Sequence, residues 1–185
     1  MRIASLNLQN LRLLRHGGRA HLHGARDRDE PAMPEHDEPD RRLTAGLLAA
    51  TGADVLALQE VFDTESLDFF HDHYLAPVAG PYRNRLCLPG NDGRGLDVAV
   101  MARRDWDDAT SHAALLPRDL GFAPPAGIAH DLPIFRRDCL ELRFGALTVF
   151  VVHFKAPPPD PALSWKVRPR RCAACCPRSP GRCGW

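Results

Sequence analysis

"ADVLALQEV", residues 53–61, decides the fold. Val55, Leu56, Ala57 and Leu58 are apolar without alternation, the pattern of a strand covered on both faces. The run closes on Gln59 and Glu60, so a buried strand delivers a carboxylate to one end of its sheet. A strand hidden on both sides needs a layer on each side, and the flanking sequence is read for the elements that supply them.

Upstream, "RIASLNL" at residues 2–8 suits a short strand ending at Asn7. Residues 15–40 are rich in charge, Gly, Pro and His and read as a solvated loop or disordered insertion. Their histidines, His16, His21, His23 and His36, lack the spacing of a metal site and read as solvated. Asp40 is the expected cap of a helix in which Leu43, Leu47 and Leu48 share a face, with Gly52 as left-handed stop. Downstream, a helix is predicted over 64–74, capped by Asp63 or Thr64, with Leu67, Phe70 and Tyr74 inward.

The rhythm then changes. "PYRNRLCL" and "LDVAVMARR" flank the turn-rich "PGNDGRG" and predict a hairpin whose second arm points Leu96, Val98, Val100 and Ala102 one way and Asp97, Ala99 and Met101 the other. Residues 105–134 are Pro-rich and ambiguous, with "HAALL" at 112–116 as the best strand candidate. "RRDCLELRF" and "ALTVFVVHF" flank Gly145 as a second hairpin, which ends on His153 before Lys155 and three prolines. Helices followed by antiparallel hairpins predict an α/β fold, a mixed β-sandwich with flanking helices.

Composition bounds what such a fold can do. A chain of 185 residues with 44% hydrophobic and 25% charged residues is that of an ordinary globular domain, and a net charge of +1 provides no general field for a polyanion. Any anion binding is therefore local. No apolar run approaches the ~20 residues of a membrane span. "MRIASLNLQNL" is interrupted by asparagines too early for a signal peptide, which makes a cytoplasmic location the expectation.

Asn7, Glu60, Asp97 and His153 end or begin four separate predicted strands. Taken singly, each has an ordinary reading: a turn former, a solvated cap, a salt-bridge partner for Arg94 or Arg103, and a surface histidine. Together, two carboxylates, an amide and an imidazole at one sheet edge can hold Mg²⁺ beside a phosphate, because Mg²⁺ takes one or two protein carboxylates and keeps several waters. Glu60 suits that ligand role. Arg94 and Lys155 flank the edge and can attract phosphate.

"SLNLQN", "ADVLALQEV", "RGLDVAVMARR" and "VVHFKA" resemble, in order, the opening motifs of the endonuclease/exonuclease/phosphatase superfamily, which includes DNase I-like nucleases, abasic-site endonucleases, sphingomyelinases and inositol phosphatases. The resemblance covers residues 1–165 and implies a DNase I-like four-layer α/β/β/α fold and Mg²⁺- or Mn²⁺-dependent hydrolysis of a phosphate ester, nucleic acid among the candidate substrates. It further implies that Asn7 orients metal and phosphate, Glu60 binds the metal, Asp97 occupies the "G-x-D-x-A" strand and His153 donates to a phosphate oxygen. The near-neutral charge speaks against a duplex DNA nuclease, leaving small phosphoesters and single strands.

The family's later motifs, "G-D-x-N" and "S-D-H", are absent, so the fold is expected to be truncated at its C-terminal end and the site incomplete. A catalytically inactive fragment and a noncatalytic interaction module on the same fold are the competing expectations. Residues 166–185 are an Arg-, Cys- and Pro-rich tail with no structural period, consistent with a frameshift or truncation near 165–168. Four of the six cysteines lie there, but without a second ligand pair they do not spell a zinc site.

Overall fold

Strand β4 (Val55–Val61) takes an interior place in a mixed four-stranded sheet. On one side it pairs in parallel with β1 (Ile3–Leu11), Ile3 opposite Val55 and Asn7 opposite Gln59. On the other it pairs antiparallel with β6 (Asp97–Ala102), which pairs in turn with β5 (Asn84–Cys87). The sheet order is β1-β4-β6-β5. This is a computed structural model that describes residues 1–26, 33–124 and 129–154. The tail at 166–185, its cysteines and Lys155 lie outside the described residues.

Both faces of β4 are covered, as its continuous apolar run predicts. On one face Leu56 and Leu58, with Ala99 and Met101 from β6, join Leu48, Leu67, Phe70 and Leu75 from the helical side. On the other, Val55, Ala57, Val98, Val100 and Ala102 meet Leu140, Leu142, Val149 and Val151 of a second sheet. That sheet has the order β7-β8-β9, from Asp108–Ser111, Cys139–Phe144 and Leu147–Val152. All six residues of β6 are buried, and each large side chain withdrawn from water contributes about 1.5–3 kcal/mol. Among the described residues the molecule is thus mixed α/β, with helices on one sheet face and a second sheet on the other. The outward face of the second sheet carries Phe150 exposed, and β1 is an edge strand with Ile3 exposed.

Several expectations are corrected. Residues 15–40 are not a featureless loop. β2 (Leu13–His16) and β3 (Arg19–Leu22) form a hairpin turned by Gly17 and Gly18, both at positive φ, the backbone that a two-residue primed turn demands. Leu13 and Leu22 pair on its inner face, and the surrounding Arg and His residues mask the alternation. Helix α1 (Pro34–Thr51) starts well before Asp40, because Pro34 at the first turn needs no N–H partner. It does stop at Gly52, φ 55°, whose N–H reaches the Ala49 carbonyl at 3.1 Å. Its inward face is Asp37, Arg41, Thr44, Ala45 and Leu48, while Leu43 and Leu47 point to solvent. The leucine count misphased the helix because its largest buried side chain is an arginine.

The next helix breaks its register. α2 (Thr64–Phe70) begins on the Asp63 cap, whose carboxylate accepts the Ser66 N–H at 2.7 Å. A π turn over His71–Leu75 and a short α3 (Ala76–Ala79) follow. The extra residue of the π turn puts Leu75 fully into the core, with Tyr74 partly buried and packed against it. His71 lies buried at this turn, where its Nε2 accepts the Tyr82 N–H at 2.9 Å. "HAALL" is turn rather than strand, and β7 ends at Ser111, directly before it. Both predicted hairpins, β5/β6 and β8/β9, are present. Gly145 turns the second at φ 62°.

Candidate functional site

At the C-terminal end of β1 and β4 the ladder loses its regular register. Between the pairs Asn7/Gln59 and Leu11/Val61, three residues of β1 stand against the single Glu60, and Glu60 is also an extra residue relative to β6. Gln9 (φ 48°), Asn10 (φ 56°) and Glu60 (φ 60°) are left-handed, a conformation that costs a residue with a Cβ about 1–2 kcal/mol. A bulge of this kind lifts a side chain out of the pleat and re-aims it.

The surrounding structure holds the strain. Arg41, fully buried on α1, donates to the carbonyl oxygens of Leu8 (2.5 Å), Gln9 (2.9 Å), His23 (2.6 Å) and Gly24 (3.0 Å), pinning the bulged end of β1 to the helix. Burial pulls its guanidinium down to about 10, with Asp40 and Asp37 opposing, and it stays charged at neutral pH. Asp37 is itself buried between Arg26 and the Gly24 N–H.

Glu60 emerges with both oxygens engaged. Oε1 accepts from the Asn7 amide Nδ2 at 3.1 Å, and Oε2 accepts the Asn10 N–H at 3.2 Å. The Asn7 amide oxygen accepts the Gln9 N–H at 2.8 Å, which fixes the side chain so that its nitrogen faces Glu60. His153, just beyond β9, puts Nε2 3.7 Å from Glu60 Oε1. The imidazole is 18% exposed and the carboxylate 15%, and the imidazole Nδ1 is buried without a hydrogen-bond partner among the described residues. Burial, followed by the Arg137 charge, lowers the His153 pKa, while Glu60 and Asp92 oppose that and Arg94 adds to it. The ring is held neutral at pH 7.

Asp97 is placed differently. It sits one strand over, opposite Val61, and its carboxylate accepts the Gly90 N–H at 3.0 Å. Burial raises its pKa. Neither arginine weighed as its partner bonds to it: Arg103 serves the carbonyls of Ala53, Pro81 and Ala79, and Arg94 is bound to Asp92. Gly90 is tight, since a Cβ there would come within 2.8 Å of Asp97 and 3.0 Å of the Arg137 backbone. Asp97 therefore anchors the loop between β5 and β6, while Asn7, Glu60 and His153 meet.

Sequence reasoning missed three contributors. Asn10 was legible only as part of the "NLQN" string. Asp92, in the "PGNDGRG" turn, accepts from Arg94 Nε (3.0 Å) and Nη2 (2.7 Å) and from Arg137 Nε (3.1 Å), and those cations hold its carboxyl far below the usual range, the Arg94 hydrogen bond foremost. Arg137 also donates to the His153 carbonyl at 3.3 Å, so Asp92 ties the turn to the residue carrying the imidazole.

The donor set suits a hard cation. Glu60 is a carboxylate with lone pairs left after two hydrogen bonds, beside an imidazole that is neutral, and Mg²⁺ needs little more than one carboxylate and water. Asn7, expected to orient metal and phosphate, has its oxygen on the Gln9 N–H and its nitrogen on Glu60, the arrangement of a group that orients the ligand. No helix among the described residues is long and apolar enough to cross a membrane. No family model and no curated protein matches the chain.

Proposed function

We propose that the chain is a divalent-metal-dependent phosphoester or phosphodiester hydrolase of the endonuclease/exonuclease/phosphatase family, on a DNase I-like four-layer plan. One observation carries the reading: a strained bulge lifts Glu60 out of the sheet and sets it between the Asn7 amide and the His153 imidazole. Strain persists where the surroundings enforce it, and such outliers cluster at functional sites.

Glu60 would hold Mg²⁺ or Mn²⁺, which supplies charge neutralisation at the phosphorus centre and polarises a phosphoryl oxygen. Asn7 fixes the carboxylate. The neutral His153 donates from Nε2 to a phosphate oxygen as negative charge gathers there. Water attacks the phosphorus in line, forming one P–O bond as the ester P–O bond breaks, and its proton leaves with the departing alkoxide.

The test pairs Mn²⁺ binding, read by electron paramagnetic resonance, with hydrolysis of bis-p-nitrophenyl phosphate. Glu60→Gln is expected to weaken Mn²⁺ binding at least tenfold. His153→Ala is expected to leave binding in place and lower turnover by about 10²-fold. Unchanged Mn²⁺ affinity in Glu60→Gln refutes the assignment, and tight binding without turnover by the unmodified chain identifies a noncatalytic metal-binding module.

A further inference from the structure

The four strands at the margins of the two larger sheets are not protected alike. A marginal strand presents a row of N–H and C=O groups to water, and proteins guard such rows with charge, bulges, shortness or a covering element. β1 is bulged at Gln9 and Asn10. β5 has four residues, lies against α2, and its Arg85 donates to Asp68 at 2.5 Å. β7 also has four, and its Asp108 pairs with Arg143 at 3.3 Å. β9 has none of these devices. Its six residues, "LTVFVV", hold no charge, no proline and no bulge, and every one pairs with β8. Among the described residues no strand pairs with its other side.

The side chains of this margin are as unguarded as its backbone. Phe150, in the middle of β9 on the outward face, is 56% exposed, Leu147 at its start 42%, and Phe154, two residues past its end, 73%. Val149 and Val151, on the inward face, are buried. A strand added antiparallel at this margin sets each residue opposite one on the same face of the sheet. If the added strand is β9 of a second copy, a two-fold axis passes through the seam and a residue on the axis meets its own counterpart. A charge there would repel itself, and β9 carries none. With Phe150 on the axis, Val149 stands opposite Val151, Thr148 opposite Val152 and Leu147 opposite His153.

We infer that β9 is a self-association edge: two copies of the chain pair their β9 strands antiparallel about Phe150 and join two three-stranded sheets into one of six. Main-chain hydrogen bonds across the seam supply the pairing, and the side chains select the partner. The buried valine row runs on into the second copy, and the two exposed Phe150 rings withdraw each other from water. Each copy has one such margin, so the assembly closes at two and does not grow into a fibre. The seam is about 20 Å long for six residues, short enough that a reversible dimer is expected rather than an obligate one. The inference is independent of the phosphoester reading, since pairing needs neither metal nor substrate.

The experiment is sedimentation velocity of the full chain, in EDTA and a reducing agent, from about 1 µM to about 1 mM. A concentration-dependent shift from monomer to dimer is expected. Phe150→Lys and Phe150→Glu each set like charges against one another on the axis and weaken the dimer by roughly tenfold or more. Mixed in equal amounts, the two variants bring opposite charges together and recover a one-to-one heterodimer. Phe150 is exposed, so both variants keep the fold, and circular dichroism checks it. An unmodified chain that stays monomeric throughout overturns the inference, as does growth beyond the dimer. A dimer that survives Phe150→Lys, or a mixture of the two variants that stays monomeric, overturns it equally.

Discussion

The two halves of β4 are made of the same strand and obey different rules. From Val55 to Leu58 every side chain is buried, every residue pairs in register with both neighbours, and the backbone is extended. From Gln59 to Val61 the register slips on both sides and Glu60 turns left-handed. The first half is held by apolar burial on two faces. The second is held by polar groups delivered from elsewhere: Arg41 on the carbonyls of β1, Asn7 and Asn10 on the carboxylate. The regular half supplies stability, and the irregular half spends part of it on aiming one carboxylate.

That division can be broken experimentally. The largest effect is expected in the regular half: Leu58→Ala empties a fully buried position between β4 and the helices and should destabilise by about 3 kcal/mol, read from the urea midpoint. A cost under about 1 kcal/mol would mean the regular half is not the anchor. In the irregular half the sign reverses. Gln9→Gly keeps the N–H that Asn7 accepts and relieves a left-handed φ of 48°, so a gain of about 1 kcal/mol is expected with Mn²⁺ affinity unchanged. A loss would show that the turn carries no strain.

The smallest effect concerns His23, whose carbonyl accepts from Arg41. Burial lowers its pKa below the ordinary 6.5, the Gly24 carbonyl opposing. The unfolded chain thus binds a proton that the folded chain resists, so its contribution is fully present above pH 6.5 and is lost as pH falls from there through the folded value. His23→Asn should flatten the stability profile across that window. An unaltered profile assigns the acid sensitivity elsewhere.

Legibility followed the same boundary. The apolar run of β4, the alternation of β6 and both later hairpins could be read because burial writes a period into sequence. Glu60, Asn7 and His153 could be named because each closes such a run. The bulge could not be read, since it depends on three residues of a distant strand and on a buried arginine, and no local pattern marks Arg41 as interior. The β2/β3 hairpin was hidden by its charged residues, although the Gly17–Gly18 pair was its signal. Asp97 was placed at the right strand end, but the Gly90 N–H that claims its carboxylate belongs to a loop whose path the sequence does not state.

The parallel pairing of Ile3 with Val55 has a consequence for timing during biosynthesis. The hairpins close as soon as their own residues leave the ribosome, because their partners are neighbours. The first strand, made earliest, has no mate until β4 emerges, and Asn7 meets Glu60 across 53 positions of chain. His153 comes later still. The nascent polypeptide therefore carries its earliest-made site residue unmatched until β4 appears, and the imidazole joins the amide and carboxylate only after β9 has been made.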